Sequence, residues 1–146
     1  MSHQHGCQDI QRRLPRDLDA GVAARRELER FRGELGEADH DIVALLMTEL
    51  VANSVKHAGP DAGSHLRLGL TVTADRIRVE VRDGGPGFVP ARRSNRAGAL
   101  HWGIELVDRL ADRWQVVPGE GRGETSVWFE LDRGRAWTWA GQQQTG

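Results

Sequence analysis

Two residue types are almost missing from this chain of 146 residues, which has one cysteine, Cys7, and one lysine, Lys56. A single cysteine excludes an internal disulfide framework and fits a reducing compartment. The basic side chains are otherwise arginines, and beside so many Ala and Gly that reads as compositional bias. No arginine therefore carries weight on its type alone. A surplus of either charge is also absent: charged residues make up 28% and the net charge is -1, with no overall pull toward nucleic acid. No apolar run approaches membrane-spanning length, and the opening Met-Ser-His-Gln-His-Gly-Cys has no signal-peptide core. A soluble, cytoplasmic domain is expected. There is no Gly-x-x-x-x-Gly-Lys-Ser/Thr loop, which excludes an ordinary P-loop. Gly119-Glu-Gly-Arg-Gly123 resembles a dinucleotide fingerprint only superficially, because no helical pattern follows it.

What remains fits one domain with a two-layer core. Residues 1–14 read as a polar tail with an edge strand from Ile10 to Leu14. His3, His5 and Cys7 alternate there, but nothing nearby completes a metal shell. Leu18, Val22, Leu28, Phe31 and Leu35 predict an amphipathic helix, with Asp17 or Asp19 as its cap. After Gly36 a second helix runs from Asp39 or Asp41 to about His57, apolar around most of its circumference, and Gly59-Pro60 stops it. Leu66 to Val72 and Ile77 to Asp83 alternate with the two-residue period of half-buried strands and predict a hairpin. Val89 to Leu100 reads as a loop or lid, Trp102 to about Asp112 as a helix, and Trp114 to Val117 and Thr125 to Leu131 as strands. The order β-α-α-β-β-loop-α-β-β predicts an α+β two-layer sandwich, helices on one face of a mixed, mostly antiparallel sheet. Residues 132–146 form a polar tail carrying Trp137 and Trp139.

Three stretches carry chemistry. Asp83 ends a strand and is followed by Gly84, Gly85, Pro86 and Gly87. A carboxylate beside bare backbone suits an amino-bearing heterocycle such as adenine, with the carboxylate accepting the exocyclic amine's hydrogen bond. On the second helix Ile42, Leu46, Glu49 and Asn53 follow at spacings of four, three and four, so two polar residues continue an apolar stripe. An inward Glu is costly unless something polar meets it, and a bound cation with phosphates does so. Asn53 offers a hard amide oxygen for Mg²⁺, Glu49 stands where a general base would take a proton, and His57 continues the face. Third, Gly103 precedes a helix whose free N–H groups suit an anion, and Arg92, Arg93 and Arg96 of the lid add cations for phosphates. Each stretch also has a plain structural reading: a surface turn, the wet edge of a helix, solvated arginines.

Glu49-Leu-Val-Ala-Asn-Ser-Val-Lys-His-Ala58 resembles the N box of the gyrase–Hsp90–histidine kinase–MutL ATPase superfamily. Asp83-Gly-Gly-Pro-Gly-Phe88 resembles its first glycine box, Trp102-Gly-Ile-Glu-Leu-Val-Asp-Arg-Leu-Ala111 its second, and Gly123-Glu-Thr-Ser-Val-Trp-Phe129 its closing strand motif. The boxes stand in the family's order over residues 15–131. Within the superfamily the chain is most similar to small stand-alone anti-sigma factor serine-protein kinases. Neither a transducer domain nor a phosphoacceptor helix pair before Pro15 is expected. The resemblance implies a Bergerat-type ATP-binding fold, with ATP and Mg²⁺ as ligands. It implies Glu49 as catalytic base, Asn53 as Mg²⁺ ligand, Asp83 on the adenine amine, and Gly87 and Thr125 beside the ring. Gly103, with Ile104 after it, would lie at the phosphates. The implied partners are a sigma factor, which the domain silences, and a STAS-type antagonist phosphorylated on Ser or Thr. The first helix, with Arg25, Arg26, Glu29, Arg30 and Arg32, would serve partner or homodimer contacts.

One departure stands out. His101-Trp102 occupies the start of the second glycine box, where the family usually has another glycine. Two readings follow: a protein serine/threonine kinase, and a nucleotide-gated partner-binding module with little or no transfer.

Overall fold

In the computed structural model, residues 8–56, 65–83, 104–117 and 125–134 are described. Strand β1 (Gln8–Pro15) leads to helices α1 (Ala20–Glu29), α2 (Arg32–Leu35) and α3 (Glu37–Lys56). Strands β2 (His65–Val72) and β3 (Arg76–Asp83) follow, then helix α4 (Glu105–Leu110) and strands β4 (Arg113–Val117) and β5 (Thr125–Asp132). The five strands form one sheet in the order β1-β2-β3-β5-β4. All four of its pairings are antiparallel, in line with the mostly antiparallel sheet expected from the sequence.

The alternation in the strands decides which face the helices cover. Leu66, Leu68, Leu70 and Val72 of β2 are buried, as are Ile77, Val79 and Val81 of β3 and Phe129 and Leu131 of β5. They pack under Ile42, Val43, Leu46, Met47, Leu50 and Val51 of α3. Burying a side chain of this kind contributes about 1.5–3 kcal/mol, so this layer is the main source of stability. The opposite face is polar. There the Arg78 guanidinium lies 4.1 Å from the centre of the Trp128 ring, a cation–π contact. Arg113 and Arg78 both donate to Glu130, at 2.8 and 3.0 Å.

Two expectations need correction. The helix read from Leu18 to Leu35 is two helices, and Leu18 is 94% exposed. The Asp17 carboxylate accepts the Asp19 N–H at 2.8 Å and the Asp17 carbonyl accepts the Ala20 N–H, a turn that delays the helix start past Leu18. The Phe31 N–H bonds to the Leu28 carbonyl three residues back, which tightens the chain and ends α1. The second correction concerns α3, whose apolar surface is a wide stripe and not nearly the whole circumference: Leu45 and Ala52 are exposed.

Candidate functional site

The C-terminal half of α3 and one end of the sheet meet at a cluster of polar groups. Glu49 is half-buried, whereas Asn53 and Ser54 are buried. They continue the stripe of Ile42 and Leu46, so the helix carries its polar residues onto the face that covers the sheet. Asp83, the last residue of β3, is 2% exposed and sits in register between Leu66 of β2 and Thr125 of β5. Thr125, the first residue of β5, is also buried. The Ser54 hydroxyl donates to Asp83 Oδ2 at 2.9 Å and ties the end of α3 to the end of β3.

A buried carboxylate needs compensation. Asp83 has it from Arg16, which follows β1 and whose side chain is 6% exposed: Nη1 donates to Oδ2 at 3.1 Å and Nη2 to Oδ1. The Arg16 side chain reaches further to the carbonyls of Ser54 and His65, at 3.4 and 3.3 Å. The carboxylate is thereby fixed in orientation as an acceptor.

Glu49 is held differently. Its Oε1 accepts the Val107 N–H at 3.0 Å, so the side chain serves the first turn of α4 from across the helix layer. Burial pushes the Glu49 carboxyl above its ordinary range, and the N–H groups of Val107 and Leu106 offset part of that rise. A carboxylate raised in this way is better matched to accepting a proton near neutral pH. Asn53 Oδ1 is buried and has no hydrogen-bond partner among the described residues. An orphaned hard oxygen is costly by itself and suits a cation such as Mg²⁺. Among the described residues no group of three or more His, Cys, Asp and Glu side chains converges.

The structure thus brings Glu49, Asn53, Asp83 and Thr125 together at one end of the fold. Ile104 is fully buried in the core at the start of α4, where its carbonyl accepts the Asp108 N–H. His57, Gly85, Gly87, Gly103, Arg92, Arg93 and Arg96 lie outside the described residues, as do His101, Trp102, Trp137 and Trp139. Two residues of the cluster escaped the sequence reading. Ser54 left a faint signal, a polar residue beside Asn53 on a buried face. Arg16 left none, since one arginine among so many gains meaning only when β1 pairs with β2.

A separate cleft of about 500 Å³ opens between α1 and α3, lined by Leu18, Val22, Arg25, Thr48, Ala52 and Lys56 among others. It does not include Asp83, Asn53 or Glu49. No helix among the described residues is long and apolar enough to cross a membrane.

Comparison with known proteins agrees with this layout. No curated protein matches the chain. Among solved structures, the RsbU and RsbW domains of Rv1364c from Mycobacterium tuberculosis share the fold, at a TM-score of 0.63 and 17% identity. The match covers 85% of this chain and 31% of that one. The model of the histidine kinase-like ATPase domain matches residues 14–130, from the end of β1 through nearly all of β5. With that span matched and the antiparallel sheet and helix layer in place, the chain belongs to the histidine kinase-like ATPase domain family.

Proposed function

We propose that the chain binds ATP with Mg²⁺ and acts as an anti-sigma factor that is also a serine/threonine protein kinase. The convergence of Asp83, Asn53 and Glu49 at one end of the α3–sheet layer carries the reading. In it Asp83 accepts the adenine exocyclic amine, and Thr125, its neighbour across the β3–β5 ladder, lies beside the ring. Gly85 and Gly87 leave room for the base. His57, Gly103 and Ile104 line the nucleotide, and Arg92, Arg93 and Arg96 meet its phosphates. Asn53 Oδ1 holds the cation, whose chemistry when bound is to neutralise charge on the β- and γ-phosphates. Glu49 accepts the proton of an incoming Ser or Thr hydroxyl as its oxygen bonds to the γ-phosphorus, and ADP leaves. The raised Glu49 carboxyl supports that role.

The same reading gives the domain two protein partners, a sigma factor that it sequesters and a STAS-type antagonist that it phosphorylates. The face of α1 is the surface proposed for them, and for a homodimer. Arg25, Arg26, Glu29 and Arg30 are exposed there, beside Leu18 and the half-exposed Val22.

One observation favours the alternative, a nucleotide-gated binding module without efficient transfer. Glu49 already accepts a hydrogen bond from the backbone of α4, so it has a structural task that needs no chemistry. Calorimetric titration with ATP and GTP, each with Mg²⁺, tests nucleotide binding. Binding of ATP over GTP that is lost in a folded Asp83→Asn variant is expected. Absence of ATP binding would overturn both readings. Transfer of the γ-phosphate to a purified antagonist then separates them, and Glu49→Gln is expected to abolish it.

A further inference from the structure

From the bonds around Asp83 we infer that Arg16 sets base selectivity: it fixes the carboxylate as an acceptor for a purine amine and turns its own donors away from the base. The inference rests on the nucleotide-binding reading above and adds a positioning residue to it.

The donors and acceptors can be counted. An ionised carboxylate has about four lone-pair positions, two on each oxygen. Oδ2 of Asp83 already receives two donors, Arg16 Nη1 at 3.1 Å and Ser54 Oγ at 2.9 Å. Oδ1 receives Arg16 Nη2. Counting donors among the described residues, one position on Oδ1 is left, enough for a single N–H of an exocyclic amine. Each Nη of Arg16 carries two hydrogens. Beside the two Asp83 oxygens, the acceptors facing them are the backbone carbonyls of Ser54 at 3.4 Å and His65 at 3.3 Å. The four Nη hydrogens face these four acceptors among the described residues, and Arg16 makes a further contact besides them.

That arrangement decides what the pocket rejects. A purine with a carbonyl at the position of the adenine amine needs a donor, and a guanidinium with a spare N–H would supply one. Here the Arg16 donors are engaged on the protein side, so such a base meets a carboxylate lone pair instead. A site built to bond one polar group discriminates strongly against a ligand lacking it, because its own polar groups are left unpaired. Arg16 also brings the opposite charge beside a carboxylate that is only 2% exposed. Without Arg16, Asp83 would be held by Ser54 alone and free to turn.

ATP and inosine triphosphate, which carry an amine and a carbonyl at this position and an acceptor and an N–H at the neighbouring N1, make the test. Dissociation constants with Mg²⁺ are measured for the wild type, Arg16→Ala and Arg16→Lys, with circular dichroism melts to verify folding. The wild type is expected to prefer ATP by at least about tenfold. Arg16→Ala should weaken ATP by about tenfold and leave inosine triphosphate within about twofold, so that the preference collapses. Arg16→Lys keeps the charge but not the two-pronged grip, and should fall between the two. If the alanine variant does not fold, the lysine variant alone must narrow the preference. Equal weakening of both nucleotides would reduce Arg16 to a structural role and overturn the inference, as would an unchanged preference in the folded variants. Tighter ATP binding on removal of Arg16 would also overturn it, since the guanidinium would then compete with the base. A wild type that prefers ATP while its variants keep that preference sinks only the role of Arg16. A wild type that binds neither nucleotide sinks the nucleotide site and this inference together.

Discussion

Glu49 on α3 and Val107 on α4 are joined by a hydrogen bond of 3.0 Å from the Val107 N–H to the Glu49 carboxylate. The residue proposed as general base is therefore also the acceptor that completes the first turn of a neighbouring helix. Val107 also belongs to the Trp102–Ala111 stretch that resembles the second glycine box, so this bond links the proposed base to that stretch. It also makes the usual alanine substitution ambiguous, because alanine removes a proton acceptor and a helix contact at once.

Glutamine separates the two roles. Glu49→Gln keeps an oxygen for the Val107 N–H and removes the charge. Burial raises the Glu49 carboxyl above its ordinary value of 4.5. A raised folded-state value makes its stabilising contribution full below 4.5 and lost as pH rises through the folded value. Neutral pH is thus where the charge disfavours the fold. Glu49→Gln should melt a few degrees higher than the wild type at pH 7, with the gap closing toward pH 4.5. Phosphoryl transfer should fall by about 10²–10⁴. Glu49→Ala should be about 1 kcal/mol less stable than Glu49→Gln. Thermal melts across pH, paired with a transfer assay, check all three.

Asn53→Ala separates cation binding from folding. Oδ1 of Asn53 is buried without a partner among the described residues, so its removal relieves an unsatisfied polar atom, a penalty of about 1–3 kcal/mol. The free variant should be at least as stable as the wild type. The increment in ATP affinity contributed by Mg²⁺ should disappear, leaving the affinity measured in EDTA unchanged. Titrations with and without Mg²⁺ read this directly. A variant that loses stability but keeps the Mg²⁺ increment would show that Asn53 has a packing role only.

Much of the fold was legible because the strands obey a strict alternation. Leu66 to Val72 and Ile77 to Asp83 place their apolar residues on one face, and the antiparallel hairpin they form follows from that. The polar continuation of α3 through Glu49 and Asn53 was legible for the same geometric reason, a repeat of three and four residues. Hydrophobic spacing could not show where α1 begins, since Leu18 keeps the spacing while an Asp17 turn removes it from the helix. The Arg16–Asp83 pair was invisible for a deeper reason. The two residues lie 67 positions apart. They meet only because β1 pairs with β2 and β2 with β3, a relation written in register and not in any local pattern.

Glu130 gives a pH dependence of opposite sign on the other face of the sheet. Burial pushes its carboxyl up, but hydrogen bonds from Arg113 and Arg78 and the charge of Arg76 outweigh this, and the net direction is down. A lowered folded-state value stabilises above 4.5 and is lost as pH falls through the folded value. Glu130→Gln should therefore be destabilised relative to the wild type at pH 7. The difference should shrink as both are acidified below pH 4.5. Urea denaturation at several pH values measures it, and a constant difference would show that the charge is irrelevant.

Gly33 and Gly36 offer a test of backbone conformation with packing held constant. Neither would place a Cβ within 4 Å of another group, so steric contact distinguishes nothing between them. Gly33 lies inside α2, where glycine is less favourable than alanine by about 0.5–1 kcal/mol. Gly36 ends α2 at φ 82° and ψ 161°, a region that side-chain-bearing residues avoid. Its N–H bonds to the Arg32 carbonyl, and its carbonyl accepts the His40 N–H at the start of α3. Gly33→Ala should thus stabilise the domain by up to about 1 kcal/mol. Gly36→Ala should destabilise it by about 1–3 kcal/mol. The cost at Gly36 would appear even though nothing is crowded, because an L-residue must either adopt a strained backbone or shift the junction from which α3 carries Glu49 and Asn53 to the site. Chemical denaturation of the two variants measures the contrast, and equal effects would rule out the backbone as its cause.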